Sequence, residues 1–444
     1  MNLPLNFDLV QQIQTTFRSL KYRNYRLFFF GQGLSLIGTW MQQVAVSWLV
    51  YRLTDSAMAL GLIAFAGQIP SFVLAPVGGI AADRYSKHRI LLVTQALSMI
   101  QASVLAWLTL SGKVDIWDLG LLSMILGVIN AFDMPTRQAF VIEMIENNED
   151  LGNAIALNSS MFNGARLVGP TLAGILISTA GESVCFVVNA VSYLAVIVSL
   201  LRMRMNPLRH CSTTVHPLKQ LREAFVYAHR FSPIKYMIGF IGLISLVGLP
   251  YVVVIPIFAS EVLHGGSQTY GLLLGATGTG ALIGALYMAA RKTVLGLGKL
   301  LAFSGMFFGA ALMLFSLSAS LWLSMGLLLL AGFGMMVLMA SCNTLLQTMV
   351  EDDKRGMVMS FYMMAFMGMA PLGSLLAGFL AHRLGVHAAL LIGGACCVLG
   401  SGLFARKLPF LREQVRPVYI KKGIIKELAQ GLQSATGLTM PPEK

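Results

Sequence analysis

Along this chain, apolar runs of helical length recur with short polar breaks between them, and few charged residues fall inside the runs. Twelve runs are found, at approximately 27–50, 57–81, 90–110, 118–140, 154–179, 184–201, 236–259, 270–288, 300–318, 322–348, 357–381 and 388–404. A helix rises about 1.5 Å per residue, so about 20 residues cross a hydrocarbon core roughly 30 Å thick. The pattern predicts an all-α membrane protein with 12 transmembrane helices. The longest break, 202–235, divides the runs into six and six. The expected organisation is an N-terminal segment 1–26, a six-helix bundle 27–201, a central loop 202–235, a second six-helix bundle 236–404 and a tail 405–444.

Composition agrees, since only 11% of the 444 residues are charged against about 25% in soluble proteins. A net charge of +13 would ordinarily suggest nucleic acid. The positions of the charges point elsewhere: counting Arg137 at the end of span four, 28 of the 32 Lys and Arg lie in the tails and the even-numbered breaks. Opposite them stand Arg52, Lys113 and Arg383, with Arg166 inside a span. Positive charge stays in the cytoplasm, so both termini and the even breaks are expected there, in a bacterial inner (plasma) membrane. No cleavable signal peptide is visible, because the first run follows Arg18, Lys21, Arg23 and Arg26 and extends beyond a short signal core. Cys185, Cys211, Cys342, Cys396 and Cys397 are odd in number and read as free thiols.

In the central break, Leu218, Leu221, Ala224, Phe225 and Ala228 alternate at helical spacing with Lys219, Arg222 and Glu223. This predicts an amphipathic helix, either on an anionic lipid leaflet or as a solvated linker. A similar stretch spans Ile420 to Leu432, and Ser434 to Lys444 reads as disordered. An internal repeat supports the division into halves: Gly164, Gly169 and Gly174 match Gly368, Gly373 and Gly378 at a constant offset of 204, and Gly152 pairs with Gly356. Repeated halves are a feature of secondary transporters, whose substrate site lies between them near the midplane.

Between spans two and three stands Gly79-Ile80-Ala81-Ala82-Asp83-Arg84-Tyr85-Ser86-Lys87-His88-Arg89. This string resembles the loop signature of the major facilitator superfamily, with Ala81 where leucine is usual and Ser86 where glycine is usual. Gly169-Pro170 followed by Ala173-Gly174 is similar to the span-five motif of that family's exporters, Ala165 and Ala173 replacing two of its glycines. Pro135-Thr136-Arg137-Gln138-Ala139 and Ala165-Arg166 look like the branch of enterobactin exporters and drug-efflux proteins. The resemblance implies that Asp83 sits at the positive N-terminal end of span eleven, near Gly356 after Lys354 and Arg355. Such a placement contributes roughly 0.3 to 2 kcal/mol. Arg84 and Arg89 would meet Glu143, Glu146 or Asp150, completing a cytoplasmic latch that breaks in one state.

Arg166 falls 12 residues into span five, where an unpaired cation costs roughly 2.5 to 3.5 kcal/mol. Asp133 in span four is the acid at comparable depth, and the expected coupling pair is Asp133 with Arg166; Arg137, one turn from Asp133, competes for it. Span one carries Gln32, Ser35, Thr39, Gln43 and Ser47 as a polar stripe. The family places this span on the central cavity, so the stripe is expected to face substrate, with interhelical hydrogen bonding as the alternative. Asn130, Asn343 and Gln347 are candidates of the same kind. Met335, Met336, Met339, Met357, Met359, Met363, Met364, Met367 and Met369 suit a cavity that repacks around varied apolar ligands, ordinary packing, or a copper(I) path.

All seven histidines lie in breaks or at span ends, which argues against a metal or haem site inside the membrane, and no phosphate-binding G-x-x-x-x-G-K-[ST] string occurs. No cofactor is expected and the chain does not read as an enzyme. The expectation is a monomeric secondary transporter that exports amphipathic small molecules, siderophore or drug-like, in exchange for protons. Its alternatives are a non-transporting scaffold or receptor of the same fold and a copper transporter.

Overall fold

The computed structural model describes residues 17–204, 231–291, 293–351 and 354–422. Among them the chain is helical throughout. After a 3-10 turn, Arg18–Lys21, come α1 Arg23–Thr54, α2 Ala57–Arg84, α3 Lys87–Leu110, α4 Ile116–Glu143, α5 Asn148–Ala180 and α6 Glu182–Arg202. Helix α7 is a broken rod of Ser232–Val247, Tyr251–Ile257 and a π-helical turn Phe258–Val262. Pro250 and Pro256 withhold the backbone N–H groups that an unbroken helix needs there. The series ends with α8 Ser267–Ala290, α9 Leu297–Ser316, α10 Leu321–Met349, α11 Arg355–Leu384 and α12 Val386–Lys421.

Ten of the described helices are long and apolar enough to cross a membrane by composition alone. The two that fall short are α1 and α5. Their interiors hold the glutamines at 32, 42 and 43 and Asn158, Asn163 and Arg166, so low hydropathy marks the helices that carry polar chemistry. Each helix reverses direction across the slab. The 3-10 turn, the breaks α2–α3, α4–α5, α8–α9 and α10–α11 and the end of α12 therefore share one face, called here the terminal face.

Within the first six helices, α1 packs on α5 and α6, α2 on α4, and α3 on α4 and α6. Within the last six, α8 packs on α10, α9 on α10 and α12, and α7 on α11 and α12. The two sets meet along two seams, α5 on α8 and α2 on α11. Small residues set both seams. A Cβ on Gly174 would stand 2.9 Å from Gly271 Cα, and one on Gly378 would stand 2.8 Å from Gly61 Cα. Gly174 and Gly378 are repeat-related positions, so each half presents the same glycine to the other. Gly169 and Gly373, the next related pair, hold α5 to Trp40 of α1 and α11 to Leu246 and Pro250 of α7.

Helix α12 continues well past residue 404, where the apolar run ends. Leu411, Val415 and Tyr419 recur every four residues and are buried. They line an apolar pocket with Pro233, Met237, Leu345 and Met349, so an amphipathic stripe extends the helix under the second half. Lys422 Nζ then donates to the Thr348 and Val350 carbonyls, both at 2.9 Å, at the end of α10. Cys185, Cys342, Cys396 and Cys397 are free thiols. Cys211, the helix anticipated around Leu218 to Ala228 and the segment beyond Lys422 lie outside the described residues.

Candidate transport cleft

Both seams are tight on the far face and part towards the terminal face. On α5, contact with α8 runs from Gly174 at Gly271 to Arg166 at Gly278, where a Cβ on Gly278 would stand 2.9 Å from the Arg166 carbonyl oxygen. Closer to the terminal face, Gly164 and Gly152 face open space. On α11, contact with α2 runs from Gly378 at Gly61, through Ser374 accepting from Gln68 Nε2 at 3.3 Å, to Gly368 against the Phe72 ring. Beyond it Gly356 and, on α2, Gly79 face open space. The result is a cleft that opens on the terminal face and ends near Arg166 and Phe72.

Helical periodicity carries each seam face into the cleft. On α5 the face of Gly174 continues through Asn163, Ser160, Ser159 and Ala156; on α11 the face of Gly378 continues through Met367, Met364, Met363 and Ser360. Ser159, Ser160, Met363 and Met367 are exposed. One wall is therefore polar and the other rich in thioethers. Pro170 removes the hydrogen bond that the Arg166 carbonyl would receive within α5, and Pro371 does the same for Met367 in α11. Both helices are thus weakened where the seams end.

The expected ion pair of Asp133 with Arg166 is not formed. Asp133 is buried and accepts from Thr94 Oγ1 at 2.9 Å, from Gln95 Nε2 at 2.8 Å and from Arg137 on its own helix. Residues four apart on a helix face one another, so Arg137 reaches the carboxylate before any residue of α5. Arg166 is half-buried, and its guanidinium lies over the Trp40 ring of α1, 5.9 Å from the centroid. Trp40 in turn meets Phe162 edge-on at 5.8 Å. From the other half, Tyr251 at the break in α7 is close enough for its hydroxyl to feel the Arg166 charge.

The span-one stripe divides. Gln32 and Ser35 are buried, Thr39 donates back to the Ser35 carbonyl at 2.9 Å, and Ser47 is half-buried. Gln43, one turn from Trp40, is exposed. The interhelical amide contacts in mid-span of α1 come from its neighbour Gln42, which the stripe did not include. Gln42 donates to Gln101 at 3.0 Å and accepts from Asn189 at 2.7 Å, joining α1, α3 and α6. An amide in mid-span needs amide partners, and Gln101 and Asn189 were the available signal. Asn130 is half-buried. Gln347 donates to Asn343 at 3.0 Å and lines a cavity of about 410 Å³ with Thr344, Thr348, Arg355 and Lys422 on the terminal side of the second half.

The latch residues are apart. Asp83, Arg84 and Arg89 are exposed, and among the described residues no ion pair involves them. Glu143 pairs with Lys87 at 2.7 Å rather than with Arg84 or Arg89. Asp150 is claimed by the N-terminal turn: Arg18 Nε at 3.0 Å, Lys21 Nζ at 2.6 Å and the Tyr22 hydroxyl at 2.8 Å. Hydrogen bonds from Lys21 and then Tyr22 hold its carboxyl below the usual carboxylate range. On the far face Arg52 makes a two-pronged pair with Glu182 at 2.8 and 3.2 Å, and Trp48 stacks on Tyr270 across the halves at 6.1 Å. Among the described residues no cluster of His, Cys, Asp or Glu could hold a metal ion.

A sequence profile of the family described as transmembrane secretion effector matches residues 14–419. The staphyloferrin A transporter of Staphylococcus aureus is 26% identical over 379 residues, covering 81% of this chain and 90% of its own. The multidrug efflux pump Tap of Mycolicibacterium fortuitum is 26% identical over 386 residues, covering 83% and 92%. Among solved structures, a bacterial homologue of the human lysosomal transporter Spinster, in an inward-facing and unoccupied conformation, superposes with a TM-score of 0.64 at 14% identity over 92% of this chain and 99% of that one.

Proposed function

Because the chain belongs to the transmembrane secretion effector family of major facilitator transporters, a family of carriers and not of enzymes, we propose that it exports amphipathic small molecules from the cytoplasm of a bacterium by proton exchange. The observation that carries this reading is the cleft between the halves, closed by glycine contacts on the far face and open on the terminal face. With the positive charge on the terminal face in the cytoplasm, this is an inward-open carrier ready to load from inside the cell. The relative named a multidrug efflux pump supports an outward direction, and together with the staphyloferrin A transporter it supports a small-molecule cargo.

Mechanistically, cargo enters between the polar face of α5 and the methionines of α11, and the halves then rock about the seams. Thioethers repack around apolar bodies of different shape. On closure the signature loop of Asp83 approaches the start of α11, where the helix dipole favours a carboxylate. Proton exchange is assigned to Asp133, the buried carboxylate that Thr94, Gln95 and Arg137 engage; withdrawal of Arg137 would release it to exchange a proton. The decisive experiment reconstitutes the purified chain in liposomes with a pH-sensitive dye inside and ethidium as cargo. Cargo-driven proton movement, absent from empty liposomes and lost in Asp133→Asn, is the expected result. Cargo flux with no proton movement would overturn the coupling, and no flux of any amphiphile would overturn the transport reading.

A further inference from the structure

We propose that the cargo of this carrier bears a carboxylate or similar anion, and that Arg166 is the residue that receives it. The inference deepens the transport reading and rests on it. Arg166 lies 12 residues into the apolar run of α5, roughly 18 Å along the helix and so near the midplane. Arginine keeps its charge there, since it cannot shed its proton as lysine can. A cation at that depth calls for a counter-charge. Among the described residues neither a carboxylate nor any hydrogen-bond acceptor engages its guanidinium.

The Trp40 ring attracts the charge from 5.9 Å, but an aromatic face offers no anion and satisfies none of the five N–H donors. Acids elsewhere are committed: Asp133 to Arg137, Thr94 and Gln95, Glu182 to Arg52, and Asp150 to the N-terminal turn. The guanidinium also stands where the α5–α8 seam ends, with Gly164 of the same helix facing open space. Cargo entering the cleft meets it last. Trp40 and Phe162, packed edge-on, provide aromatic surface beside it for an apolar body. Tyr251 belongs to the other half, so an anion seated on Arg166 and accepting from the Tyr251 hydroxyl would bridge the two.

The test uses the full chain in lipid nanodiscs with three pyrene probes of one shape: 1-pyrenebutyrate, 1-pyrenebutanol and 1-pyrenebutylamine. Quenching of tryptophan fluorescence reports binding. The carboxylate should bind about tenfold or more tightly than the alcohol, as a charge-assisted hydrogen bond provides. Arg166→Gln should remove that preference while leaving alcohol binding in place, and Arg166→Lys should retain part of it. Equal affinity for carboxylate and alcohol in the natural protein, preference for the amine, or a preference that survives Arg166→Gln would overturn the proposal. Should Arg166→Gln fail to fold, the natural protein and Arg166→Lys still decide. Flux of the same probes into liposomes separates the two levels: no flux of any probe sinks the transport reading, whereas alcohol or amine flux equal to that of the carboxylate sinks only the anion assignment.

Discussion

Asp133 shows how a buried charge in this chain is settled by its nearest helical turn. With Thr94, Gln95 and Arg137 all donating to it, Asp133→Asn leaves the Arg137 cation without its anion, a loss of roughly 3 to 5 kcal/mol for breaking a buried pair. The double variant Asp133→Asn, Arg137→Gln removes both charges and should recover much of that loss. Thermal unfolding of Asp133→Asn, Arg137→Gln and the double variant in detergent checks the cycle; additive effects would mean that the two side chains do not interact. Asp150 on the terminal face is a case with a definite pH sign. Its carboxyl is held low by Lys21 and then Tyr22, so the tether it forms is complete above the ordinary carboxylate pKa of about 4 and is lost as pH falls through the lowered value. Asp150→Asn at neutral pH should mimic the acid state, with amide exchange rising at residues 18–22 and unchanged in α8 to α10. The depth of Asp133 and Arg166 could be read from the sequence, but their pairing could not. Depth along two helices leaves their rotation free, and an i, i+4 neighbour on the same helix needs no rotation to match.

At the scale of helices, most of the architecture was legible because lipid imposes one rule on every span: long, apolar and internally hydrogen-bonded. The offset of 204 between the glycines also had a physical cause in waiting. Gly174 and Gly378 each meet a glycine of the opposite half, backbone on backbone. Two features escaped. The break in α7 hides inside an unbroken apolar run, where Pro250 acts on hydrogen bonding and not on hydropathy. The continuation of α12 to Lys421 falls below the hydropathy of a span, yet one stripe of Leu411, Val415 and Tyr419 is enough to bury it. The glycines yield a paired prediction. Gly174→Val places side-chain atoms against the Gly271 backbone and should drive the molecule out of the state closed on the far face. Gly356→Val meets nothing in this state and should instead hinder closure on the terminal face. In a cysteine-free background, thiol labelling of Ser47→Cys by a membrane-impermeant maleimide added from outside the cell should rise with the first substitution and fall with the second. Equal labelling in both would show that these glycines do not decide which face is open.

For the whole molecule, the open cleft and the asymmetry of charge make one claim together. The face rich in Lys and Arg is the face through which cargo enters, so the carrier loads from the cytoplasm if positive charge stays inside. A C-terminal fusion to alkaline phosphatase should be inactive and a fusion to green fluorescent protein bright; the reverse would turn the carrier round and make it an importer in this state. Closing the same face must bring the two six-helix sets together at α2 and α11, the helices that now stand open at Gly79 and Gly356. Asp83 is exposed here, so replacing it costs this state nothing. In the closed state it would lie at the positive end of α11, where a carboxylate contributes roughly 0.3 to 2 kcal/mol. Asp83→Asn therefore withdraws stabilisation from one state only, and should move the equilibrium towards the open cleft by up to about 30-fold with no change in expression or melting temperature. The measurement is maleimide labelling of Ser160→Cys from the cytoplasmic side in inverted vesicles, together with the rate of cargo flux. Labelling should rise while flux falls. If labelling is unchanged while flux falls, Asp83 acts on something other than the balance of states; if both are unchanged, the loop has no part in closure.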